Sequence, residues 1–500
     1  MRSRRLGHRA VMTVGVLAVL VPGIALAHAR LVRSTPAAGA HLRVAPRELL
    51  LVFSEAPELA VTRIELLAHD SSAVALGPLR TAPVSRNTVI ADIRGPLVAG
   101  TYTVAWTMAG ADGHPIRGRF TFTIEPGAEG LTAAVAPAES ATAAAPSPAR
   151  DTTARVHHDP VSMPDGDGFG TGSPAYVAIR WLQFIALLAV VGASAFRAMV
   201  LTRLRRNRGS AAPVAPIAGE RAARVGIWAA AALAVITLAR LYAQSYAMYG
   251  QADAMDARLV GTMLAYTVWG SGWLLQAGGT LAALLGFALA RRASAAGWYV
   301  AGFASPVLAV GAALSGHAAS SPRLVPLAVA ADAAHVLGAG GWLGSLFIVV
   351  VAGVPAALAL PRGGRGEAVA DLVNAYSPTA LASAGVLVVT GAFAAWLHVG
   401  TLPAFWHTSY GRVLLLKLAV LSVVAAVGAY NWLRVRPTLG DVEGASRIRR
   451  PALVELGIGA LVLLVTAVLV ATPPATEVEA DRADVSLHLP AVVAGSIYAG

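Results

Sequence analysis

The chain has 500 residues, of which 56% are hydrophobic and only 13% charged, with a formal net charge of +12 and no cysteine. A mean hydropathy of +0.63 excludes an ordinary soluble multidomain protein, and arginines gathered in short loops between apolar runs exclude a basic nucleic-acid-binding face. Without cysteine there is no disulfide frame and no thiolate ligand, so any metal is held by nitrogen, oxygen or thioether, a donor set that disfavours structural zinc and suits Cu(II).

Met1 to Ala27 reads as a secretory signal peptide. Arg2, Arg4, Arg5 and Arg9 precede an apolar core from Ala10 to Leu26, which closes on the small-residue cleavage pattern Ala25-Leu26-Ala27. The competing reading is an uncleaved anchor helix, but the core is short for one. Cleavage leaves His28 as the first residue of the mature chain. Its free α-amine, with a pKa of about 8, has a neutral form that binds metal, whereas a peptide nitrogen is a poor ligand.

Residues 28–125 read as a small all-β domain. The segments 48–53, 61–68, 88–93, 101–106 and 119–124 alternate or are rich in β-branched and aromatic residues, and Pro, Gly, Asn or Asp bounds them. This spacing predicts a β-sandwich of immunoglobulin or cupredoxin type. The last two strands are joined by a polar turn carrying Asp112, Gly113 and His114. Cu(II) prefers a tetragonal set of nitrogen and oxygen donors. The amine and ring of His28, with Asp112 and His114, supply such a set. The plainer alternative is that ADGHP is an ordinary turn and His28 a coincidence. His41 and His69 have no carboxylate turn beside them and read as surface residues.

Residues 126–174 form a linker rich in Ala, Pro, Ser and Thr, with nothing to build a core from, and are expected to be disordered. Within it His157, His158, Asp159 and Met163 are either a small ligand cluster or part of a solvated tether. Eight transmembrane helices follow, expected near 175–201, 223–243, 268–290, 297–318, 324–351, 379–399, 412–433 and 452–471. With the first helix starting outside, the inner loops hold most arginines, among them Arg203, Arg205, Arg206, Arg291, Arg292, Arg434 and Arg436. The outer loops offer only Arg258, Arg323 and Arg412. The positive-inside rule thus agrees with an exported β-domain and places the tail from residue 473 outside the cytoplasm.

In that topology every histidine after the signal lies at the outer side. Asp332 and His335 share one helix face, and ionisable groups inside apolar helices are costly and usually mark a pathway or a paired site. His317, His398 and His407 fall at outer helix ends or loops, and Met248, Met255 and Met263 add soft donors suited to Cu(I). Lys417 is either a counter-charge to Asp332 or a snorkelling lysine. Arg240 and Glu455 read as helix-end anchors. The inner half shows no comparable donor series.

The segments HARLVRSTPAAGAHL, LLLVFSEAP and LVAGTYTVAWTMAGADGHPIRGRFTF resemble the CopC family of periplasmic copper-binding proteins over residues 28–125. That resemblance implies a Cu(II) site at His28, Asp112 and His114. Some members also carry a Met-rich Cu(I) site; here only Met108 lies in the domain, which argues against one. Residues 175–472 resemble CopD, the partner of CopC, through SGHA (315–318), DAAHVLGAGGWLGSL (332–346), TSYGRVLLLKLAVL (408–421), Asn431 and TPP (472–474). The whole resembles a CopC–CopD fusion in the bacterial inner membrane.

The expected function is capture of Cu(II) outside the membrane and transfer of copper to the bundle for import, through His317, Asp332, His335, His398, His407 and Met255, with Cu(I) as the species suited to that path. The expected partners are copper, the lipid bilayer and periplasmic copper chaperones or a reductase, with no nucleic acid. Copper sequestration at the outer face without transport is the alternative. A copper-dependent oxidative enzyme is the third reading, disfavoured because Asp112 fills the coordination position such chemistry needs open. A haem-binding bundle is a fourth, although the candidate histidines all sit at one side.

Overall fold

The computed structural model describes residues 31–130, except 55, 84, 112 and 114, and residues 173–476, except 207–212, 322, 362–363, 436–448 and 473. His28 and the signal, the linker with His157 and His158, and most of the tail lie outside the described residues. The chain divides into two units, a β-domain and a helical bundle.

The β-domain is a two-sheet sandwich. One sheet runs β1 (Leu31–Thr35), β3 (Glu48–Phe53), β7 (Ser85–Asp92), β6 (Arg80–Ala82); the other runs β2 (His41–Val44), β9 (Pro115–Glu129), β8 (Gly100–Ala109), β4 (Arg63–Leu67), β5 (Ala73–Val74). Alternation along a strand sends every second side chain inward. Leu49, Leu51 and Phe53 of β3 therefore meet Tyr102, Val104, Trp106 and Met108 of β8 in one core, joined by Phe122 and Ile124. All five predicted strands are present, as β3, β4, β7, β8 and β9. The remaining four are short and carry little alternation, so only their pairing partners define them. His41 and His69 are exposed, as expected.

Tyr102 ties the second sheet to the loop before it. Its hydroxyl accepts from the Val98 amide at 2.8 Å and donates to the Val98 carbonyl at 3.0 Å, a tyrosine corner. Tyr102→Phe leaves both backbone groups of Val98 without that partner. It is expected to lower the β-domain's stability by about 1–2 kcal/mol in urea unfolding, with an unchanged far-ultraviolet spectrum.

Among the described residues the bundle has eight helices long and apolar enough to cross a membrane: α1 (Pro174–Arg206), α2 (Val214–Tyr249), α3 (Val268–Arg291), α4 (Ala295–Leu314), α5 (Val325–Ala357), α6 (Arg365–Val399), α7 (Ser409–Arg434) and α8 (Arg450–Val470). The main core is built from Leu187, Val190, Phe196, Leu233, Phe287 and Leu308 with their neighbours on α5 and α6. Small residues let backbones approach. Gly272, Gly279 and Gly286 form a heptad seam on α3 against Gly311, Leu308 and Ala301 of α4. A Cβ on Gly192 of α1 would collide with the Gly344 backbone, and one on Gly344 with the Leu188 carbonyl. Packing is uneven: the share of the apolar window buried is 67% for α1 and 61% for α5, but 11% for α6 and 17% for α7.

The eight spans match expectation in number but differ in extent: α1 and α5 run on to Arg206 and Ala357, α2 is longer at both ends, and α6 begins at Arg365 rather than near 379. Pro378 lies inside α6, where proline removes a helical donor. In a bundle, neighbouring helices can serve the disturbed turn. Arg203 of α1 does so, donating from Nη1 to Thr379 Oγ1 at 2.6 Å and to the Ala375 carbonyl at 3.4 Å.

Candidate metal sites

In the β-domain the hairpin β8–β9 stays in register to the pair Ala109 and Pro115, so Gly110 to His114 form its loop. Gly113 has φ of +81°, a left-handed conformation that explains glycine at this position. Asp112 and His114 lie outside the described residues, as does His28. The strands around them are described, and they converge. Leu31, the first residue of β1, pairs with Phe53 at the end of β3. The Phe53 ring meets Trp106 of β8 edge-on at 5.2 Å, and the Glu58 amide after β3 donates to the Ala109 carbonyl at 2.9 Å. The start of β1 and the strand ends at Ala109 and Pro115 therefore occupy one end of the sandwich. Met108 is fully buried in the core and packs there.

In the bundle, antiparallel neighbours bring the starts of α1, α3, α5 and α7 to one end with the finishes of α2, α4, α6 and α8. The histidines gather there. His317, on the turn after α4, meets the Val470 carbonyl at the end of α8 through Nε2 at 3.0 Å. A carbonyl only accepts, so the proton is on Nε2 and the lone pair on Nδ1. The His398 ring of α6 lies 6.4 Å from that of His317 and 6.3 Å from Tyr410 of α7.

Asp332 of α5 is half-buried, and its charged neighbours are Lys417 of α7, then Arg180 of α1, then His317. Lys417 is thus a charge within electrostatic range of Asp332. His335, one turn on, meets Thr390 Oγ1 of α6 through Nδ1 at 2.8 Å, and that hydroxyl donates to the Val386 carbonyl at 2.7 Å. The chain of donors puts the proton on His335 Nδ1 and the lone pair on Nε2, the second-partner arrangement that orients metal-binding imidazoles. His407 is exposed on the short helix Ala404–His407, and Met255 is 75% exposed between α2 and α3. Met248 and Met263 are buried and fill space. Among the described residues no group of three His, Cys, Asp or Glu is close enough to hold a metal. The bundle offers a histidine pair with a carboxylate at longer range.

Several polar residues of this end went unnoticed in the sequence, namely Arg180, Gln183, Gln276 and Thr390, because single polar residues in apolar helices declare no partner. Two expectations need correction. Arg240 is no helix-end anchor: it is wholly buried within α2, held by Gln276 and Ser315. Glu455 is also buried, near the opposite end, and accepts from Asn431 Nδ2 at 3.2 Å.

A β-sandwich joined to an apolar bundle of eight candidate spans defines a multi-pass membrane protein with a separate β-domain. Family models place the chain more closely: the CopC domain matches residues 31–125, the copper resistance protein D-like N-terminal domain residues 167–325, and copper resistance protein D residues 370–469. The copper transport protein CutJ of Bacillus subtilis is 24% identical over 466 residues, covering 92% of this chain and 76% of that protein. Copper resistance protein C of Pseudomonas syringae pv. tomato is 34% identical over 131 residues, 24% of this chain and 98% of that protein. Among solved structures, CopC from Methylosinus trichosporium OB3b is similar at 27% identity over 20% of this chain and 95% of that one, with a TM-score of 0.19. The chain belongs to the copper resistance family, as a fusion of a CopC domain with a CopD membrane protein, and copper is the ion it handles.

Proposed function

We propose that the β-domain lies outside the bacterial inner membrane and captures Cu(II) through His28, Asp112 and His114, and that the bundle receives copper at His317 and His398 and passes it inward for import. The observation that carries the membrane half is the facing pair of imidazoles. Metal–imidazole bonds of about 2 Å from two opposed rings put their centroids roughly 6 Å apart, close to the 6.4 Å seen here. A two-nitrogen site of that kind suits Cu(I). Asp332 and His335, deeper on α5, are the next donors along the path.

The convergence of the β1 start with the strand ends at Ala109 and Pro115 supports the soluble site, because three residues of chain reach at most about 10 Å. The inner position of Arg203, Arg205, Arg206, Arg291 and Arg434 supports the orientation. No GxxxxGK[ST] loop is present in the sequence, so transport would be passive, ion-coupled or driven by a partner. Reduction of Cu(II) before transfer calls for a reductase, and delivery for a periplasmic copper chaperone.

His317→Ala or His398→Ala is expected to cut copper accumulation roughly tenfold or more in cells expressing the full chain, at equal protein level. Cell copper equal to that with the unaltered chain would refute import through this pair. Sequestration at the outer face is the second reading. It draws on the opposite end of the bundle, where Glu455 with Asn431 is the main buried polar group described. Deleting the gene separates the two: import predicts a fall in cell copper, and sequestration predicts heightened copper toxicity without that fall.

A further inference from the structure

Arg240 is fully buried within the helices, and among the described residues its guanidinium is bonded to neutral groups. Nη1 donates to Ser315 Oγ at 3.1 Å and Gln276 Oε1 at 3.3 Å, and Nη2 donates to the Ser315 carbonyl at 2.9 Å. The Trp269 ring lies 5.3 Å from its centre. Arg180, of the same sign, is a charged neighbour. Asp332 has Lys417 as well as Arg180 among its charged neighbours. No ion pair to Arg240 occurs among the described residues.

Two donors beside this cation have no acceptor: Arg240 Nε and Gln276 Nε2, both on wholly buried residues. Turning the Gln276 amide over would not help, because it would set an NH2 group against the guanidinium. Ser315 Oγ is committed as well, donating to the Gly311 carbonyl at 2.8 Å while it accepts from Arg240. The result is a buried positive charge with unmet donors and, among the described residues, no ion-pair partner. A buried cation of this kind is costly unless paired.

We propose that Arg240, Gln276 and Ser315 form an anion site inside the bundle, which takes a small monovalent inorganic anion of the chloride type against Arg240 Nε and Gln276 Nε2. The site is separate from the histidine pair, and the proposal does not depend on copper transport. The anion neutralises a positive interior that would otherwise repel an arriving copper cation.

The test uses the purified full-length protein in detergent, copper-free, exchanged from chloride into gluconate at constant ionic strength. Sodium chloride and then sodium bromide are titrated back while the unfolding midpoint is followed. The expected result is a saturable rise in Tm for the unaltered protein. Gln276→Leu, which keeps the arginine, should raise the half-saturating chloride concentration at least tenfold, and Arg240→Met should abolish the response. Should Arg240→Met fail to fold, Gln276→Leu decides the matter. A midpoint indifferent to chloride, or a chloride response the same in Gln276→Leu, would overturn the proposal and assign the donors to water.

Discussion

Acetylating the amino group of His28 in the secreted domain, or adding one residue ahead of it, is expected to weaken Cu(II) binding by at least about a hundredfold. Loss of a partner one shell out from a metal already costs roughly 10–100-fold in affinity, and the amine is proposed to touch the metal itself. The modification removes one nitrogen and opens the chelate ring that His28 forms with its own imidazole. His114→Ala should act to a similar degree, while Asp112→Asn, which keeps a neutral oxygen, should act less. Competition titration against a chelator of known affinity reads all three. Equal affinity with free and blocked amino groups would remove His28 from the site and leave the turn to explain any copper that remains bound.

The largest effect on the bundle is expected from Gly344→Val and Gly192→Val. At both positions the obstacle to a side chain is backbone, the Leu188 carbonyl for Gly344 and Gly344 itself for Gly192, so no rotamer change can make room. Overpacking typically costs about 1–3 kcal/mol where side chains can yield, and more where they cannot. Either variant should lose the sharp size-exclusion peak of the folded protein in detergent. Gly278→Ala is the matched control: nothing lies within 4 Å of a Cβ there, and the peak should be retained.

Much of the architecture could be read from the chain because burial leaves a periodic mark. ELLLVF and TYTVAW declare β3 and β8, and uninterrupted apolar runs declare eight spans. The short edge strands β2, β5 and β6 leave no such mark, since their place depends on a neighbour's hydrogen bonds. The first turns of α6 leave no such mark either: the donors that serve the turn at Pro378 come from Arg203, far away in sequence. The proposed soluble site is suggested by a covalent event, a cleavage pattern directly before His28.

The membrane site was legible only as a list of residues. That His317 lies beside His398 and that His335 meets Thr390 are matters of helix rotation, which one helix's sequence does not determine. Arg240 shows the same limit from the other side. A lone arginine in an apolar helix suggested an interfacial anchor, and only the neighbours on α3 and after α4 reveal that it is enclosed.

The glycine seam between α3 and α4 bears on how the bundle can move. Backbones in direct contact cannot slide or tilt against one another without collision, so these two helices form a single stiff plank with α1 and α5 braced beside it. Any rocking that admits an ion at one end and releases it at the other must then fall to α6 and α7, whose faces are the least enclosed. His398 and Lys417 ride on those two helices, so such a swing would carry the proposed copper donor and a cation with it.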